Sequence, residues 1–132
     1  MAALTNPYQN YVNGKLNTTS KGNLLIMIYD SAIRNIGEAQ VQMKAKNPAL
    51  KGVAIDIAYK AVSELLCSLN FEIGGEIAQN LSKIYQFILR QLTLSNIYND
   101  PGKLEVPLQI LQDFRETWQE VIRIEKEKGN TL

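Results

Sequence analysis

Apolar residues in this chain recur at steps of three and four, and turn residues break the recurrence at only a few places. A chain with that pattern has room for long helices and little else. The first stripe, Leu25, Ile28, Tyr29, Ala32, Ile33, Ile36, Ala39 and Met43, predicts a helix over about 21–46, with Ser20 as its N-cap. Asn47-Pro48 is a breaker, because proline disfavours helical geometry in the residue before it yet suits the first turn of a new helix. A second helix is therefore expected from Pro48 through Ala54, Ala58, Ala61, Leu65 and Leu69, ending at Gly74-Gly75. A third follows directly on Ile77, Leu81, Ile84, Tyr85, Ile88 and Leu92 and fades near Tyr98. Asn99-Asp100-Pro101-Gly102 is turn chemistry. Leu104, Leu108, Leu111, Arg115, Trp118 and Ile122 carry the last period. Pro107 is tolerable only in a first turn, so that helix should begin at about Glu105 or kink there.

No segment alternates in the manner of a strand, and the connections are short. The expectation is an all-α, antiparallel up-and-down four-helix bundle over 21–128, with helices of about 37 Å at 1.5 Å per residue. Residues 1–20, rich in Asn, Thr and Gly and carrying Pro7, predict an extended or mobile lead-in, and the polar end EKEKGNTL should fray. At 132 residues the chain is one domain on the usual size prior.

Composition narrows the chemistry. There is no histidine, which removes the commonest catalytic base and the Glu-x-x-His pairs that hold di-iron sites in bundles. Cys67 is the only cysteine, so neither an internal disulfide nor a Cys/His zinc site is available. Asp30, Glu38, Glu64 and Glu76 have no spacing that makes two of them converge, and Gly74-Gly75 lacks the strand and the basic residue of a phosphate loop. No enzyme, cofactor, metal or small-molecule substrate is indicated. Fourteen basic residues against thirteen acidic ones leave a net charge of +1, too little to draw the chain to nucleic acid. The longest apolar run, Leu24–Tyr29, is far short of the roughly 20 residues of a membrane span. The first twenty residues do not read as a Sec signal, so a cytoplasmic location is expected.

The helices nevertheless carry more apolar surface than one core stripe needs. Ile55, Tyr59, Val62 and Leu66 form a second stripe on the second helix. Phe87 and Leu94 lie off the main stripe of the third, and Ile110, Phe114, Val121 and Ile124 flank that of the fourth. These residues either widen the core face or form a groove for a partner. Tyr8 and Tyr11, two aromatics in a polar segment, either shield such a groove or anchor the lead-in.

Particular residues go further than periodicity. The stretch Leu69-Asn-Phe-Glu-Ile-Gly-Gly-Glu-Ile-Ala-Gln-Asn-Leu81, followed by Ile84-Tyr-Gln-Phe-Ile-Leu-Arg-Gln-Leu92, resembles the central signature of the FliS family of flagellin export chaperones. Asn6-Pro-Tyr-Gln-Asn-Tyr11 resembles the family's amino-terminal tyrosine segment, Met27-Ile-Tyr-Asp-Ser-Ala-Ile-Arg34 its first-helix motif, and Asp113-Phe-Arg-Glu-Thr-Trp118 its last-helix motif. The resemblance implies a helical bundle that binds the disordered carboxyl-terminal segment of flagellin, keeps flagellin from polymerising early and delivers it to the flagellar export gate. It makes Ile55, Tyr59, Val62, Leu66, Phe87, Leu94, Ile110, Phe114 and Val121 candidate flagellin contacts, with Tyr8 and Tyr11 capping the groove when flagellin is absent. The competing expectation is a self-associating helical adaptor without affinity for flagellin.

Overall fold

The computed structural model describes the backbone of residues 17–129 and the side chains of residues 21–129. Among them are four long helices, which we number α1 (Asn17–Lys44), α2 (Pro48–Cys67), α3 (Phe71–Tyr98) and α4 (Glu105–Glu127), with a 3-10 turn over Pro101–Leu104. No described helix is long and apolar enough to cross a membrane.

The ends of these helices follow from local hydrogen bonding. Lys46 takes a left-handed conformation, φ 57°, which lets its own N–H reach the Met43 carbonyl and that of Asn47 reach the Gln42 carbonyl, a Schellman closure of α1. Asn47 is extended, and its side chain accepts the Leu50 N–H at 3.1 Å, with Pro48 in the first helical position of α2. Asn99, φ 50°, closes α3 in the same left-handed way as Lys46 closes α1. Pro107 lies in the first turn of α4, where its missing N–H has no intrahelical partner to lose, so the helix starts at Glu105 as its sequence predicts.

Several expected boundaries move. α1 begins at Asn17, so residues 17–20 belong to the helix and Ser20 lies inside it. α4 continues to Glu127, into the polar stretch expected to fray. The second helix stops at Cys67, well before Gly74-Gly75. There the Ser68 hydroxyl turns back to the Leu65 carbonyl at 2.8 Å, and Asn70, extended, starts α3 by accepting the Ile73 N–H at 3.0 Å. Asparagine at an N-cap outweighed the glycine pair as punctuation. The pair falls inside α3, where Gly75 (φ 52°, ψ −124°) makes a kink.

Cross-links give the topology. Gly22, near the start of α1, meets Ile122, near the end of α4, and mid-helix Asp30 pairs with Arg115, so α1 and α4 are antiparallel. Lys51, early in α2, donates from Nζ to the Asn96 carbonyl late in α3 at 3.0 Å and to Asn99 Oδ1 at 3.2 Å. Asn99 Nδ2 donates to the Met43 carbonyl at the end of α1 at 3.2 Å. Thus α1 and α3 run one way and α2 and α4 the other. Short connections enforce this arrangement.

The core is built from Tyr29, Ile36 and Met43 of α1, Ala54, Ala58, Val62 and Leu65 of α2, Tyr85, Ile88 and Leu92 of α3, and Leu104 and Leu111 at the head of α4. Alanines at 32, 39, 54, 58 and 61 let α1 and α2 approach closely, and this is the most extensive helix pair. α1 also packs on α4, and α2 on α3, but α3 and α4 are not packed backbone against backbone. Among the described residues, that side of the bundle is held chiefly by side chains and by the 3-10 turn that joins the two helices.

Candidate partner-binding surfaces

Two apolar surfaces follow from that packing. The first lies on the outside of the α1–α2 pair. Leu24, Met27 and Ile28 of α1 face Ile57 and Ala61 of α2 across an open groove of about 420 Å³, edged by Ser31, Lys60 and Glu64. Because the alanines bring the two backbones together, the larger side chains flanking them have no third layer to enter. Met27 is 63 % exposed. Leu50, Val53 and Ile57, all exposed, continue the α2 side at helical spacing. The Asp56–Lys60 ion pair beside the groove spans 3.1 Å between well-exposed side chains, and a pair of this kind contributes little to stability.

The second surface is the splayed α3–α4 side. Phe114 meets Tyr85 edge to face, with ring centroids 6.5 Å apart and planes at 84°. Phe87 of α3 and Ile110 and Phe114 of α4 are only partly buried against the core, Leu94 is likewise half-covered, and Val121 is 40 % exposed. Among the described residues no backbone closes over them, and these side chains are only partly covered.

The nine candidate contacts therefore divide. Phe87, Leu94, Ile110, Phe114 and Val121 lie on α3 and α4, while Tyr59, 40 % exposed, and Leu66, partly buried, lie on α2. Val62 is fully buried and Ile55 only 6 % exposed, so these two are core residues in this structure. Small alanines on the adjacent turns leave room for the core face of α2 to widen, and the two β-branched side chains fill it. Tyr8 and Tyr11 lie outside the described residues. The α1–α2 groove was not anticipated. Its signal was a further stripe, Leu24, Met27 and Ile28 against Leu50, Val53 and Ile57, hidden beside the core stripes of the same helices.

No group of three or more His, Cys, Asp or Glu side chains among the described residues is arranged to hold a metal. The forked Arg115–Asp30 pair joins α4 to α1 at the partly exposed edge of the bundle, and its carboxylate holds the guanidinium pKa above its usual value. Cys67 is exposed at the end of α2.

Comparison with known proteins matches residues 4–125 to the family described as Flagellar protein FliS. The chain belongs to the FliS family. Among its relatives, the flagellar secretion chaperone FliS of Bacillus subtilis is 29 % identical over 124 residues, covering 94 % of this chain and 92 % of the relative. Those of Vibrio cholerae and Salmonella typhimurium are 28 % and 29 % identical, each covering 83 % of this chain and 81 % and 82 % of their own. In this FliS-family chain the motif residues that carry the resemblance are largely architectural. Tyr29 and Tyr85 meet in the core, Trp118 packs against it, and Asp30 of the first motif pairs with Arg115 of the last.

Proposed function

We propose that this chain is a flagellar secretion chaperone that holds the disordered carboxyl-terminal segment of flagellin in the cytoplasm, keeps it from polymerising and brings it to the export gate. It works by binding and not by catalysis. The observation that carries this reading is the apolar surface left open on two sides of a bundle whose core is otherwise complete. A segment that folds as it binds must offset its ordering entropy with buried apolar area, and long grooves between helices supply that area to an amphipathic partner. A net charge of +1 adds little steering, so recognition is mainly apolar. On this reading Met27, Ile57, Tyr59, Leu66, Phe87, Leu94, Ile110, Phe114 and Val121 supply the contacts. Tyr8 and Tyr11 cover part of the surface when flagellin is absent.

Titration of the full chain with a flagellin carboxyl-terminal peptide in a calorimeter tests the proposal. The expected result is near one-to-one binding with a negative heat-capacity change. Replacing Ile57 or Phe114 by Glu should weaken it by at least about 1 kcal/mol. No uptake of the peptide, together with concentration-dependent dimerisation of the chain through the same residues, would overturn it in favour of a self-associating adaptor.

A further inference from the structure

α3 is made of two pieces. Its first turn, residues 71–74, hangs from Asn70, whose side chain accepts the Ile73 N–H at 3.0 Å and whose carbonyl accepts the Gly74 N–H at 2.8 Å. Gly75 then holds φ 52°, ψ −124°, which glycine adopts freely and residues with a Cβ rarely do. The limit is purely one of backbone angle, because a Cβ built on Gly75 would meet no atom within 4 Å. Large apolar side chains stand in water on both sides of the break: Phe71 is 48 %, Ile73 85 % and Ile77 71 % exposed. Ile77 nonetheless belongs by spacing to the stripe that runs on through half-buried Leu81 and Ile84 to fully buried Ile88. In an unbroken helix Ile73 would join that stripe one turn earlier. The kink takes it off.

We propose that Gly75 is a hinge, at which the first turn of α3 exchanges between this kinked form and a straight one, and that the straight form is the one that takes up the apolar flagellin segment. The proposal rests on the chaperone reading above. Straightening returns Gly75 from φ 52°, ψ −124° to helical angles, and a residue without a Cβ makes that change freely. It also extends the α3 edge of the α3–α4 surface by one turn, placing Ile73 in line with Ile77. Ile73 and Ile77 are largely exposed among the described residues, and an apolar segment lying along α3 supplies a surface for that extension to bury against. Residues 68–70, which lie between the helices and are exposed or half-exposed, absorb the change in direction.

The single cysteine makes a direct test practical, since a synthetic fragment 67–132 can be ligated at Cys67 to a recombinant 1–66 thioester to give the full chain. Gly75→Ala disfavours the kinked form because an L residue is strained at positive φ. Gly75→D-Ala disfavours the straight form for the mirror-image reason. Gly52→Ala is the control for helix propensity, since its new methyl meets open space in α2. The L-Ala chain should gain helicity and bind the flagellin carboxyl-terminal peptide about tenfold more tightly than the D-Ala chain, because affinity scales with the fraction of molecules already in the competent form. The Gly52→Ala chain should bind as the unaltered protein does. Equal affinities for the L-Ala and D-Ala chains would overturn the hinge and leave the chaperone reading standing. So would an L-Ala chain that loses helicity while the D-Ala chain binds normally, since the kink would then be a fixed part of the fold. If the unaltered protein fails to take up the peptide, the chaperone reading fails and the hinge falls with it.

Discussion

The phenolic oxygens of Tyr29 and Tyr85 lie 2.6 Å apart, joining α1 to α3 through the middle of the bundle between two buried side chains. The two hydroxyls bond to each other, so removing that of Tyr29 takes from buried Tyr85 its hydrogen-bond partner, while Tyr29 keeps its contact with Trp118 when that of Tyr85 is removed. Tyr29→Phe and Tyr85→Phe should each destabilise by about 1–3 kcal/mol, and the double variant should lose less than the sum of the two. Urea unfolding of the three variants checks this. Strict additivity would mean that the hydroxyls act independently.

The same pair sets a response to alkali. Burial is the main cause that raises both phenol pKa values, offset at Tyr29 by hydrogen bonds with Tyr85 and Trp118. In the unfolded chain both phenols lose their protons near pH 10, whereas the folded chain keeps them to higher pH. Their contribution to stability is therefore intact below about pH 10 and is lost as pH climbs beyond it. Unfolding free energy should fall steeply across that range in the unaltered protein and less steeply in the double Phe variant.

Position along α2 should separate fold from surface. Val62→Asp places an unpaired charge in the core and should cost more than about 4 kcal/mol, enough to unfold most of the chain at room temperature. Tyr59→Glu, one turn away and open to water, should leave the melting temperature within a few degrees. Circular dichroism melts distinguish the two. A folded Val62→Asp protein would contradict the burial of that site.

Gly37 lies inside α1 at an ordinary helical φ, and a methyl group there would meet no atom within 4 Å. With no close approach to protect, the residue only weakens its helix. Gly37→Ala should stabilise the protein by about 0.5–1 kcal/mol, read as a higher urea midpoint at unchanged slope.

Much of this architecture was legible before any coordinates. Periodicity identifies four helices, Asn47-Pro48 marks the first turn, and Pro107 fixes the start of α4 because a proline ring admits one position in a helix. What escaped was set by small energetic differences between competing signals. Residues 66–69, Leu-Cys-Ser-Leu, contain neither glycine nor proline, so no strong breaker announces the end of α2. The determinant is one asparagine side chain at position 70 accepting one backbone N–H. The apolar excess was legible as excess, but assigning it depends on how far apart two backbones stand. On α2 the same stripe contains buried Val62 and half-open Tyr59, because the neighbouring helix covers one and stops short of the other. Sequence spacing gives the angle around a helix axis and not the distance to the next one. For the same reason the groove of Leu24, Met27 and Ile57 was overlooked.

At one end of the bundle Asn99 serves both hairpins at once, donating to the Met43 carbonyl and accepting from Lys51, while Gln40 reaches the Pro101 carbonyl at 3.2 Å. The two connections there are riveted together, whereas the opposite end, where α3 begins, carries the Gly75 break. Along α3 the molecule is thus built like a tuning fork, clamped at the stem and, among the described residues, less firmly tied at the tine. Thermal motion has a fixed origin and an amplitude that grows with distance from it, so amide exchange should quicken along α3 from Ser95 toward Ile77. If the chain takes up a partner as proposed, entry from that end would meet α3 where it is most easily moved, and the stem would keep the movement from becoming unfolding.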